Sequence, residues 1–330
     1  MTATTAPAFP RHVMGSWELF SSMIHGGDEV LGTTKLFRRK GFVYDGRKIS
    51  IPIVSGNALG GIWRRSCAMA FLDQYLDAGG TPLSLSAFYY LTSGGTLKKS
   101  ASTGGMDIVA AMDLCSLIPM AGIFGGAGLG RIQAGKIYID EAVPVCRETV
   151  PRLARIWPEA EDAGTAGLSI RDLVEVHGYS RQDDAKNLHW LKYLDDQARS
   201  DALALVRSRQ QDDAAPDVGA AQQMRYEQEE LITGTVLWHR WGFIVDPPEV
   251  EIAALAAGLL RWAERPKIGG RNARGHGNLL LDYHGVNAET HLVGDGSQPL
   301  EAFAKQAPDD ALRDHVTGHL DAISEALAAL

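Results

Sequence analysis

The stretch Ile268-Gly269-Gly270-Arg271-Asn272-Ala273-Arg274-Gly275-His276-Gly277-Asn278, running into Leu279-Leu280-Leu281-Asp282-Tyr283, decides how this chain is read. Four glycines let backbone N–H groups approach a ligand closely. Arg271 and Arg274 add positive charge between them, and amides with guanidinium groups suit a phosphate. No Gly-Lys-Ser/Thr closes the loop, so it is not a P-loop. It follows a helix and precedes a strand, the reverse of a dinucleotide fingerprint. The preceding helix opens at Asp246-Pro247-Pro248, repeats its apolar residues at Ile252, Leu255, Leu259 and Trp262, and stops at Pro266. Before it, Leu231 to Val245 reads as a strand carrying Trp238, Trp241 and Phe243.

Residues 16–44 read as strand, loop and strand, broken at His25-Gly26-Gly27-Asp28. A helix follows, with Ser55 and Asn57 as candidate N-caps and Gly56 suited to a tight start. Leu59, Ile62, Met69, Leu72 and Leu76 trace one face, and Gly79-Gly80 end it. A free helix N-terminus, with Arg64 and Arg65 in its second turn, is a second candidate for an anion. Residues 92–130 read as glycine-rich loop around a short helix at Met106 to Ile118, and Lys136 to Val145 as a strand. Residues 151–224 read as a polar insertion with no strong strand signal, and with a short helix at Leu188 to Leu194. Leu312 to Leu330 reads as one amphipathic helix. Strand, helix, strands, insertion, strand, helix, glycine loop and strand predict an α+β fold, a split ferredoxin-like or RRM-like core.

Composition bounds the function. The 330 residues carry a net charge of −8, which by itself disfavours nucleic acid. The charge is uneven, however. Lys35 to Arg65 holds eight basic residues against Asp45, and Arg261 to Gly275 five against Glu264. A basic groove on an acidic body is expected. Cys67, Cys115 and Cys146 lie far apart and lack metal-ligand spacing, as expected of reduced cytoplasmic thiols. The start of the chain is not a secretory signal, and Ser116 to Gly130 is too broken by glycine and Pro119 to span a bilayer. Histidines 25, 177, 189, 239, 276 and 284 form no HxxxH or HxH pair, so neither metal nor cofactor is expected. His25 and His276 are candidate general bases for RNA cleavage.

Ile53-Val54-Ser55-Gly56-Asn57-Ala58-Leu59-Gly60-Gly61-Ile62-Trp63-Arg64-Arg65 resembles the helix start of the RAMP superfamily of CRISPR-associated proteins, and Ile268 to Asn278 resembles its glycine-rich loop. Ile123-Phe124-Gly125, continuing from Gly130-Arg131-Ile132 to Val145, and Glu229-Glu230-Leu231-Ile232-Thr233-Gly234-Thr235 are similar to two further motifs of its backbone branch. The four motifs stand in the branch's order over residues 16–285, and the sequence looks most like the type IV (Csf) backbone subunit.

The resemblance implies an RRM/ferredoxin-like palm with large finger and thumb insertions. The chain divides into a first palm segment (1–90), a finger-type insertion with a palm strand (91–150), a thumb-type insertion (151–229), a second palm segment (230–290) and a C-terminal helix (291–330). It implies a non-catalytic subunit that oligomerises along a guide RNA (crRNA), with target nucleic acid paired through the guide and other effector subunits as partners. The implied RNA-binding residues are Lys35, Arg38, Arg39, Ser55, Gly56, Asn57, Arg64, Arg65, Arg181, Lys186, Gly269, Gly270, Arg271, Asn272, Arg274 and His276. Type III relatives cut target RNA with an aspartate after the first strand. The comparable stretch Val30 to Lys35 places Thr34 there, with Asp28 nearby. An RNA endonuclease of the same superfamily is the alternative function.

Overall fold

A computed structural model describes residues 10–32, 34–95, 108–128, 131–181, 195–201, 203–204, 224–286, 291–294 and 310–330. The central sheet runs β14 (His291–Gly294), β13 (Leu279–Gly285), β1 (His12–Leu19), β12 (Val236–Phe243), β8 (Ile137–Ile139), with β9 (Val143–Pro144) also on β12. Every pairing in it is antiparallel. Helix α1 (Gly56–Asp77) follows β1, and helix α6 (Glu249–Ala263) links β12 to β13. Two split β-α-β units therefore interleave, the RRM/ferredoxin-like palm.

Alternation along the strands decides which face each residue meets. Trp17, Trp241 and Tyr283 point to one face and are fully buried. Trp63 of α1 fills the space above them, edge-on to Trp241 at 5.4 Å and to Trp262 of α6 at 5.7 Å. The helices cross at Gly258, where a Cβ would meet the Cys67 backbone nitrogen at 2.6 Å, so only glycine admits that approach. Trp17 donates its indole N–H to the Tyr283 hydroxyl (2.6 Å), which bonds His239 Nδ1 at 2.5 Å, while His239 Nε2 meets the Asp140 carbonyl at 3.0 Å. Satisfying all these polar groups lets them sit in an apolar core.

A second sheet, β10 (Val174–Arg181), β11 (Met224–Leu231), β3 (Thr34–Phe37), β2 (Gly26–Leu31), stands beside the palm. Its β10–β11 hairpin lies at the thumb-type insertion, whose residues carry no strong strand signal. Its polar sequence becomes strand because β11 lies parallel to β3, Glu227 opposite Thr34. Two further hairpins stand apart from both sheets, β4–β5 (Arg39–Tyr44, Arg47–Pro52) and β6–β7 (Gly125–Gly128, Arg131–Ala134).

Other expectations shift. The strand read over 231–245 is β12, which begins after a turn at Gly234 (φ 82°), and Leu231 instead ends β11. Helix α2 (Leu85–Ser93) lies in a region read without one, and α3 (Ile108–Leu117) matches the short helix, followed by α4 (Pro119–Phe124). The face of α1 is centred on Trp63, Cys67 and Phe71, leaving Leu76 half-exposed. The single C-terminal helix is two, α7 (Ala311–Gly318) and α8 (Leu320–Ala328), jointed at His319. The helix expected at Leu188 to Leu194 lies outside the described residues. Among them, no helix is long and apolar enough to cross a membrane.

Candidate nucleic-acid interface

The two candidate loops meet on one short segment, Ser22 to His25, between β1 and β2. The Gly277 N–H donates to the Ser22 carbonyl (2.9 Å) and the Gly270 N–H to the Ile24 carbonyl (2.7 Å). Met23 exchanges two hydrogen bonds with Leu231, both 2.9 Å. Arg38 donates its backbone N–H to the His25 carbonyl (2.9 Å), and Ser55 donates its own to His25 Nε2 (3.3 Å). The glycine loop, the β3–β4 junction and the start of α1 thus share one spine.

Close packing demands the glycines. Gly277 has φ 73°, and a Cβ there would sit 1.9 Å from the Ile268 carbonyl oxygen. A Cβ on Gly56 would meet the Ile139 carbonyl oxygen at 2.0 Å. Ser55 caps α1, accepting the Ala58 N–H at 3.3 Å, and Asn57 is exposed beside it.

The arginines divide. Arg65 and Arg274 are exposed, and neither side chain has a hydrogen bond or ion pair among the described residues. Lys35 and Arg38 are exposed as well. Arg64, one residue before Arg65, is 5% exposed and donates to the carbonyls of Tyr90 (2.8 Å), Leu91 (2.8 Å) and Gly125 (2.6 Å). Its expected place at an RNA is corrected, because its guanidinium ties α2 and β6 to α1. Arg39 is likewise spent on Glu229, at 2.8 Å, and on the Ser50 carbonyl. Arg181 ends β10 opposite Met224, and Lys186 lies outside the described residues.

Arg271 is half-buried rather than free. It holds the left-handed conformation (φ 55°), with its guanidinium carbon 3.7 Å from the centre of the Tyr179 ring. The Tyr179 hydroxyl donates to Glu230, which is 1% exposed. Burial, then the hydrogen bond and charge of Glu230, pushes the Tyr179 hydroxyl up to about 12. His276 closes the group, with Nδ1 3.1 Å from Ser22 Oγ and Nε2 3.4 Å from the Tyr179 hydroxyl. Asn272 lies half-buried in the turn behind Arg271. Sequence reading missed Tyr179 as a site residue and met Glu230 only inside a motif. Their pairing spans 51 positions, which no local pattern reveals.

The candidate bases are occupied. Burial, and then the charge of Arg38, lowers the His25 pKa, and its Nε2 accepts the Ser55 N–H. Thr34 donates its hydroxyl to Glu227 at 2.7 Å. His315 and His319 form an HxxxH pair, their rings tilted against each other at 4.7 Å and each bonded to a backbone carbonyl. Among the described residues no group of three or more His, Cys, Asp or Glu could hold a metal ion.

No protein-family model matches the sequence, and no curated protein matches it. Among solved structures, a chain described as "Type IV-B CRISPR Complex" is similar at 20% identity, with a TM-score of 0.53, over 91% of this chain and 100% of that one. The likeness is one of fold: both chains are built on the α+β palm described above.

Proposed function

We propose that the protein is a guide-RNA-binding backbone subunit of a cytoplasmic type IV CRISPR effector complex, without catalytic activity of its own. The observation that carries this is the Ser22–His25 spine, which joins the glycine loop with its exposed Arg274, the β3–β4 junction with its exposed Arg38, and the start of α1. Cations beside close-packed backbone hold phosphates irrespective of base sequence, leaving the bases to pair. The fold shared with a chain of a type IV-B CRISPR complex supports the same reading. Against nuclease activity stand His25 and His276, whose ring nitrogens named above already face protein groups. In this reading copies stack head to tail along the RNA and meet the other subunits of the complex.

The test is extraction and sequencing of nucleic acid that co-purifies with the protein, with light scattering before and after nuclease. RNA of many spacer sequences and a particle that shrinks on digestion are expected. A compact monomer without RNA, or one binding RNA one-to-one without assembling, overturns the proposal. Cleavage of precursor or target RNA, with or without metal ions, would establish the endonuclease instead.

A further inference from the structure

A cavity of about 450 Å³ opens between the β4–β5 hairpin, the edge strands β8 and β9, and the short helix α5 (Val150–Leu153). It shares no lining residue with the glycine-loop interface. Trp238 and Arg240 reach it from β12, on the face opposite Trp63, because they alternate with His239 and Trp241.

The lining is charged but nearly balanced. Lys40 pairs with Glu141 at 2.5 Å, and Arg240 with Asp140 at 2.7 Å. Arg152 has no carboxylate among the described residues, and its guanidinium stands 5.6 Å from the centre of the Phe42 ring. One positive charge is therefore in surplus. Arg240 is anchored: its Nε also reaches Asp140 (2.9 Å), while the rings of Trp238 and Tyr138 lie 5.8 and 5.9 Å away. Trp238 itself is 6% exposed, with a buried indole N–H that has no partner.

A fixed guanidinium plane, a phenyl ring and one unpaired cation suit a ligand with a flat ring and an anionic tail. A divalent cation would meet three positive side chains, and an aliphatic anion would leave the flat surfaces unused. A concave site of this volume with a few converging polar groups is the usual form of a small-molecule pocket. We propose that this cavity binds one nucleotide unit, its base against Arg240 and Phe42 and its phosphate at Arg152. The nucleotide can be free or part of a single strand.

Two probes separate those sources: AMP, and a short single-stranded RNA carrying one 5-iodouridine. Irradiation of the RNA with the intact protein should crosslink peptides containing Phe42 or Trp238. Competition by AMP marks a site open to free nucleotide, whereas a crosslink that AMP does not displace marks a strand site. Arg152→Glu should weaken whichever probe binds by at least tenfold, with Arg152→Lys retaining most of the affinity. If R152E does not fold, the crosslink map of the unaltered protein decides. Failure of both probes to bind, crosslinks confined to the glycine loop, or full binding by a folded R152E overturns the assignment. Because the sites are separate, loss of RNA binding at the glycine loop leaves the AMP result standing.

Discussion

Tyr179 and Glu230 are joined by a 2.5 Å hydrogen bond that lies directly beneath the arginine of the glycine loop. Glu230 is 1% exposed, so its carboxylate depends on the partners around it. Through Tyr179 it fixes the platform on which Arg271 rests, and so links the β10–β11 hairpin to the loop that follows α6.

Removing the platform should therefore cost stability before it costs binding. Tyr179→Phe keeps the ring under Arg271 but leaves the buried carboxylate short of a donor, worth about 1–3 kcal/mol. Arg271→Ala should also lower the melting temperature, since it removes a cation stacked at 3.7 Å. Thermal melts of both variants check this. Wild-type melts for both would show that the stack carries no folding energy.

Arg274 should behave in the opposite way. It is exposed, so Arg274→Ala should leave the melt within about 0.5 kcal/mol of the parent. A charge-assisted bond to phosphate is worth about 1.5–3 kcal/mol, so affinity for guide RNA should fall roughly tenfold or more. The salt dependence should flatten too, because fewer counterions are released. Titration of labelled RNA at two salt concentrations reads both effects, and unchanged affinity would remove Arg274 from the interface.

The neighbouring pair Arg64 and Arg65 offers a sharper contrast. Arg64→Ala takes a charged donor from the carbonyls of Tyr90, Leu91 and Gly125, of which Tyr90 keeps the Gly94 N–H, and should destabilise by about 3 kcal/mol or more. Arg65→Ala should fold normally and bind RNA less tightly. Denaturant midpoints and RNA titrations of the two variants together would expose a mistaken assignment of either.

His239 predicts a pH dependence. Burial drives its pKa down from 6.5 to about 3, so the folded protein keeps it neutral, accepting the Tyr283 hydroxyl proton. The unfolded chain takes up a proton below pH 6.5 that the folded chain refuses until about pH 3. Its stabilising contribution is complete above pH 6.5 and declines as the pH falls through that window, by about 2 kcal/mol at pH 5. His25 and His315 shift in the same direction, so the slope specific to His239 is read against His239→Gln. Urea midpoints between pH 8 and pH 5 measure it. Equal slopes in the parent and H239Q would refute it.

The sequence by itself determined the two palm helices, α1 and α6, and the residues that start them. Ser55 caps α1 and Pro248 opens α6 through contacts within a few residues, and the glycine loop declares itself by composition. The order of elements around them was enough for the α+β palm. Which arginines are free was decided only by the tertiary structure. Arg64 and Arg65 are identical in sequence terms, yet successive helical residues lie about 100° apart, so one enters the core and the other meets water. Arg39 is consumed by Glu229 across 190 positions, and Arg271 by a tyrosine on a strand that its own polar sequence did not announce. Strands and ion pairs draw their partners from distant parts of the chain, so local periodicity carries no record of them, whereas a helix and its cap are satisfied within one or two turns.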